Sequence, residues 1–173
     1  MYKYLFLVLG WTLGAFADTQ VFFTPGEDCR TNLVALINRA QKTLDIAVYS
    51  LTDKTLSEAL EEAHARGVKV RILTDRSQAQ NKNAKIYSLY AAGVPIKVHS
   101  VHRLEHNKFV VIDGKYVETG SYNWTNSAAD SNSENCLFMW NDPDTVGAYQ
   151  ARFDELWRLN PRSVSDRWFE KHY

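Results

Sequence analysis

Between Leu44 and Val98 the hydrophobic pattern changes period four times, and few folds accommodate that. Leu44 to Tyr49 is an apolar run of strand length. Thr52 or Asp53 then offers a helix cap, Leu56, Ala59, Leu60 and Ala63 recur at helical spacing, and Gly67 stands where a helix closes. Val68 to Leu73 alternates as a strand does, Asn83 to Ala92 reads as a helix closed by Gly93, and Val94 to Val98 is a further strand. Strands separated by helices require crossover connections. That predicts parallel pairs in a sheet with helices on both faces.

The flanks extend this pattern. Gln20 to Thr24 reads as a strand ended by Pro25-Gly26, followed by a helix over Asp28 to Lys42 whose buried stripe is Leu33, Leu36, Ile37 and Ala40. Phe109 to Ile112 runs into Asp113-Gly114, a strong hairpin signal, and Tyr116 to Thr119 returns antiparallel. Asn135 to Trp140 is another strand and Asp142 to Leu159 a closing helix, with Trp157, Trp168 and Phe169 packing the end of the chain. The last dozen residues carry the weakest structural signal. The expected fold is α/β: a mixed, mostly parallel sheet flanked by helices on both faces. The chain shows no internal repeat and no low-complexity run, and residues 18–173 suit one domain with a real core.

Residues 1–17 are set apart. Lys3 precedes the apolar run Leu5 to Leu13, and Ala15-Phe16-Ala17 matches the small-x-small cleavage pattern of a secretory signal. Leu5 to Phe16 is too short to cross a hydrocarbon core of ~30 Å, which disfavours a membrane anchor. Export to a periplasmic or extracellular setting would permit Cys29 and Cys136 to pair. Sequence alone leaves that pairing open.

The formal charge is zero but unevenly placed. Residues 66–115 hold ten Lys or Arg against Asp75, Glu105 and Asp113, a net +7, and each flank of residues 18–173 carries −4. A basic middle suits a polyanionic ligand, and equally suits solvated helix faces.

That middle contains the first half of HNKFVVIDGKYVETGSYNWT, residues 106–125. His106 and Lys108 are two apart, so on a strand both side chains leave one face. Asp113, Gly120, Ser121 and Asn123 follow. The set supplies a nucleophile or general acid, a fixed cation and small hydrogen-bond donors, which is what a phosphate ester needs from an enzyme without a metal. Each residue also has a plainer reading. Asp113 before Gly114 is what a type I′ turn asks for in any case, and Gly120-Ser121-x-Asn123 would pass for an ordinary loop.

The spacing as a whole, His106-x-Lys108-x4-Asp113-x6-Gly120-Ser121-x-Asn123, resembles the HKD motif of the phospholipase D superfamily. The wider chain from about Val21 to Trp140 is similar to the small exported bacterial endonucleases of that superfamily. The likeness includes Ala47-Val48-Tyr49-Ser50, Arg66-Gly67-Val68 and Asn132-Ser133-Glu134-Asn135. The resemblance implies a phosphohistidine route in which one His attacks phosphorus and a second protonates the leaving oxygen. It implies that Lys108, Ser121 and Asn123 hold the phosphate, and that Asp113 and Glu134 orient a His ring. His64, His99, His102 and His172 are not followed two residues later by Lys, so the chain carries one motif. The two-His mechanism therefore implies a homodimer with its site on the two-fold axis. No cofactor or metal is called for. A zinc site from Cys29, Cys136, His99, His102 and His106 is the rival, but no CxxC or HExxH accompanies it.

The expected function is thus an exported, metal-independent endonuclease acting on DNA, or RNA, with little sequence preference. A lipid phosphodiesterase acting on phospholipid or cardiolipin is the first alternative, and an apolar lip at the site would favour it. An inactive nucleic-acid-binding domain is the second. Tyr122, Trp124 and Trp140 lie near the motif and could stack on bases or belong to the core.

Overall fold

The computed structural model describes residues 17–173; the leader expected at residues 1–17 lies, apart from Ala17, outside them. In chain order the elements are β1 (Asp18–Phe23), α1 (Asp28–Arg39), β2 (Thr43–Val48), α2 (Lys54–Ala65), β3 (Lys69–Thr74), α3 (Arg76–Ala79), α4 (Ile86–Ala91), β4 (Ile96–Val98), β5 (Lys108–Ile112), β6 (Tyr116–Gly120), α5 (Asn126–Asp130), β7 (Asn135–Trp140), α6 (Pro143–Leu159) and α7 (Arg162–His172). The described strands form one sheet in the order β1-β7-β6-β5-β2-β3-β4.

The sheet is mixed, as expected, but it is not mostly parallel. Among the described strands only β2–β3 and β3–β4 pair in parallel. The other four pairings are antiparallel. The crossover helices stop at β4, after which the chain returns through a hairpin. Asp113 (φ 54°) and Gly114 (φ 63°) make the two left-handed residues of its type I′ turn. β1 then closes the other edge against β7.

Helices cover both faces. Cys29, Leu33 and Ile37 of α1, Leu56, Leu60 and Ala63 of α2, and Trp168 and Phe169 of α7 belong to one core with Ile46, Ile72 and Val110 of the sheet. Val146, Phe153 and Leu156 of α6 pack on Ala47, Leu73, Phe109, Val111 and Val117 from the other side. Every residue of β5 is buried, because this strand is sandwiched between the two layers. The end of the chain is helical. α7 seats Ser165 Oγ 3.0 Å from the Val98 N–H and so occupies a donor of edge strand β4.

Cys29 and Cys136 are disulfide-bonded and fully buried, joining α1 to β7 across 107 residues of sequence. This takes both thiols out of any zinc site. A loop of that length makes the bond worth about 2–5 kcal/mol. The Cys29→Ser/Cys136→Ser variant should lose that amount in urea unfolding; an unchanged midpoint would show that the bond does not constrain the unfolded chain.

Glu118 on β6 is wholly buried, and burial pushes its carboxyl up to about 8. In the unfolded chain it ionises near the ordinary 4.5. Its contribution to stability is therefore fully present below the unfolded value and is lost as pH rises toward 8, at about 1.4 kcal/mol per pH unit. Glu118→Gln should flatten this slope in denaturant titrations between pH 5 and 8. Parallel slopes for the two proteins would contradict the assignment.

Candidate active site

The parallel strands β2 and β3 end at Val48 and Thr74, and antiparallel β5 begins beside them, with Lys108 opposite Val48. The sheet order switches here, since β3 lies on one side of β2 and β5 on the other. In open α/β sheets the crevice at the carboxyl ends of strands about such a switch is where ligands bind. Gly120, closing β6, and Asn135, opening β7, lie at the same end. The fold therefore gathers His106, Lys108, Ser121, Asn123 and Glu134 at one end of the sheet.

His106 is exposed and its ring lies against Tyr49, centroids 4.4 Å apart. Lys108 is buried. Its Nζ sits 2.6 Å from the His106 carbonyl, 3.0 Å from His106 Nδ1 and 5.0 Å from the centre of the Tyr49 ring. Burial holds the Lys108 pKa below the usual lysine value, and Glu134 and Glu105 oppose that effect by charge. Lys108 Nζ engages Nδ1, which leaves Nε2 as the ring nitrogen free of that contact.

The loop after β6 alternates. Tyr122 and Trp124 are fully buried, whereas Ser121 is exposed and Asn123 half-buried. Tyr122 and Trp124 are thus core residues and offer no stacking surface. Gly120 makes this possible: at φ 155° its Cα presses on Asn135, and a Cβ would collide with the Asn135 carbonyl. Ser121 Oγ accepts from the Asn135 N–H at 3.1 Å, and the Ser121 N–H donates to the Asn135 carbonyl at 3.1 Å. Asn123 Oδ1 has no partner among the described residues.

Two expected roles are not what the structure shows. Asp113 sits at the far end of β5 from His106, where its carboxylate accepts from the N–H groups of Gln41, Lys42 and Thr43 at 2.7–3.3 Å. Burial works to raise its pKa, but those three donors outweigh it and hold the carboxyl below the ordinary range. Asp113 therefore ties the β5–β6 turn to the α1–β2 loop and orients no His in this chain. Glu134 Oε1 accepts from Asn132 Nδ2 at 2.9 Å and acts on Lys108 by charge; it makes no hydrogen bond to the His106 ring.

Sequence reading passed over Glu105, whose only signal was a charge directly before His106. The residue is buried, and Oε1 accepts from the Asn107 Nδ2 at 2.6 Å and the Asn107 N–H at 3.2 Å. Its other oxygen lies 3.4 Å from His99 Nδ1. His99 Nε2 accepts from the His102 N–H at 2.9 Å, so the neutral ring carries its proton on Nδ1, facing Glu105. Burial lowers the His99 pKa, partly opposed by Glu105. His99 is therefore a buried brace, and exposed His102 stacks on it at 5.1 Å. Beneath both, Asp75 Oδ2 accepts from the Glu105 N–H at 3.0 Å. Gln78, from the α3 turn that Asp75 caps, donates to Tyr49 Oη at 3.1 Å. Asp75 and Glu105 thus fix both walls around His106.

Asp113→Ala should lower stability by about 1–3 kcal/mol by leaving backbone donors unpaired. Sulfate binding at the His106–Lys108 end, measured by calorimetry, should be unchanged in the folded variant. Lost sulfate affinity with unchanged stability would return Asp113 to the site.

Residues 33–157 match the family described as "Cardiolipin synthase, PLD-like domain". The mitochondrial cardiolipin hydrolase of Chlamydomonas reinhardtii is 36% identical over 123 residues, 71% of this chain and 55% of that protein. The phospholipase D of Rickettsia prowazekii is 39% identical over 123 residues, 71% of this chain and 60% of that protein. The chain's matched part thus spans somewhat more than half the length of these relatives. Among solved structures, Nuc from Salmonella typhimurium, described as a phospholipase D family member, superposes with a TM-score of 0.78 at 28% identity, over 84% of this chain and 97% of that one. NucT from Helicobacter pylori gives a TM-score of 0.77 at 24% identity, over 84% and 98%, a likeness of fold. The chain belongs to the phospholipase D superfamily.

Proposed function

We propose that this chain is an exported, metal-independent phosphodiesterase that cleaves nucleic acid as a homodimer. The observation that carries the reading is the one exposed imidazole of the motif beside a buried cation, His106 Nδ1 to Lys108 Nζ 3.0 Å, at the carboxyl ends of the parallel strands. His106 of one protomer attacks phosphorus, an N–P bond forms and a P–O ester bond breaks. The partner's His106 gives its proton to the departing oxygen. That imidazole then takes a proton from water, whose oxygen attacks phosphorus and breaks the N–P bond. Lys108 offsets the charge on the non-bridging oxygens, and the amide of Asn123 donates to them.

Nucleic acid is favoured by cations beyond those one phosphate needs. Arg76 at the start of α3 and Lys82 and Arg103 on loops are exposed at this end of the sheet and form no ion pair among the described residues. A second reading, a lipid phosphodiester, has an observation of its own. Phe23, Val101 and Leu104 are exposed at the same end of the sheet, 69%, 48% and 43% respectively, and give it apolar surface. The names of the cardiolipin hydrolase and phospholipase D relatives point the same way. Extended positive charge supports the polyanion reading.

The test mixes the oxidised protein with circular plasmid in excess EDTA, beside cardiolipin vesicles, for wild type and His106→Asn. Wild type should cut the circle, more slowly as salt rises, while His106→Asn binds DNA without cutting it. Intact circles with hydrolysed cardiolipin would move the substrate to lipid, and two inert substrates would overturn the phosphodiesterase reading. When wild type is mixed with His106→Asn at constant total protein and allowed to exchange subunits, activity should fall as the square of the wild-type fraction. A linear loss would contradict a site shared by two chains.

A further inference from the structure

The buried carboxyl of Glu118 has no place in the chemistry above, yet it lies under the part of the site that holds phosphate. Tyr116, Glu118 and Gly120 alternate along β6 toward the α1–α2 side, with Val110 and Phe138 beside Glu118 in the neighbouring strands. Both carboxyl oxygens lack a hydrogen-bond partner among the described residues. So do Tyr122 Oη and Trp124 Nε1, the polar tips of the two side chains that anchor the Ser121–Asn123 loop in the core. The Trp124 indole N–H is the polar group that acts on the carboxyl, although it falls short of full hydrogen-bond geometry. Tyr122 Oη lies within electrostatic reach of Glu118, and also of Asp53 and Arg30.

We propose that neutral Glu118 is a positioning residue for the phosphate-binding loop, and that its ionisation shifts Trp124 and Tyr122 and thereby displaces Ser121 and Asn123. The charged groups around it leave no other response. Arg30 of α1 is the cation on that side, and it is already held by Asp53 at 2.7 Å, by Glu27 at 2.7 Å and by Asp130 at 3.4 Å. Asp53, the N-cap of α2, is a second negative charge and repels a new one. Val110 and Phe138 offer no polar group, and the adjoining Cys29–Cys136 bond carries no charge. A carboxylate formed here therefore finds relief only by drawing on the Trp124 and Tyr122 tips or by admitting water. Either movement passes to the loop, because Tyr122 and Trp124 alternate with Ser121 and Asn123 on one extended stretch. Trp124 is also fixed to the α2 start, where its carbonyl accepts from Thr52 and Asp53 at 2.9 and 3.0 Å.

The consequence is an alkaline limit set by a residue that never touches substrate. It rests on the phosphodiesterase reading for turnover but not for binding, so the experiment uses both. Wild type, Glu118→Gln and Glu118→Leu are compared between pH 6 and 9.5 for hydrolysis of bis(4-nitrophenyl) phosphate and, calorimetrically, for affinity toward sulfate, whose charge is constant over that range. Wild-type sulfate affinity and kcat/KM should fall together above pH 8. Glu118→Gln should keep neutral-pH affinity within about twofold and carry it at least one pH unit higher. Glu118→Leu, if folded, should bind sulfate about tenfold more weakly at every pH, since loop position rather than charge is lost. A pH-dependent change in tryptophan fluorescence in wild type should be absent from the Gln variant. Identical alkaline limbs in wild type and Glu118→Gln would overturn the proposal. If no protein hydrolyses the ester while the sulfate profiles separate as described, the phosphodiesterase reading fails and the positioning role stands.

Discussion

The pairing of β5 with β2 is the constraint on which the site depends. Lys108 lies opposite Val48 and Ile112 opposite Leu44, so the strand that carries the motif runs against the parallel strands. Its first residue therefore opens where they finish. Phe109 and Val111 face one core and Val110 and Ile112 the other, which fixes the register from both sides. A slip of one residue would exchange both sets and turn Lys108, and His106 with it, to the opposite face. The geometry of the reacting groups is thus inherited from apolar packing several residues away.

The electrostatic design follows from placing a cation where water is scarce. Burial disfavours the Lys108 ammonium, and the carboxylates of Glu134 and Glu105 partly restore it. A phosphate entering the crevice supplies what burial took away, so the cation binds the ester more strongly than an exposed lysine would. Glu105 serves twice, since it also holds Asn107 and faces His99. The backbone on either side of His106 is set by these acids, while the imidazole itself stays open to solvent.

Much of this was legible in the sequence. β3 and α2 follow directly from alternation and from the Asp53 cap, whose carboxyl accepts from the Leu56 N–H at 3.1 Å. The short helices α3 and α5 were not, because they are held by single caps at Asp75 and Thr125 and carry no periodic stripe of their own. α7 was missed because its stability comes from packing Trp168 and Phe169 against residues far away in sequence. The motif located the site residues, with one exception. Asp113 serves the turn and not the chemistry, and its plainer reading as a turn residue is the one the structure bears. Glu105, Glu118 and Asp75 could not be found from spacing, since their roles exist only once distant segments meet.

The central claim is that His106 forms a covalent bond to phosphorus. The direct measurement is to quench the turning-over enzyme in alkali and SDS, where phosphohistidine survives, and map the adduct by mass spectrometry. The account predicts a phosphoryl ester on the peptide that carries His106, on no more than one chain in two, and none in His106→Asn. Substrate turnover with no adduct, or with one on any other residue, would contradict it.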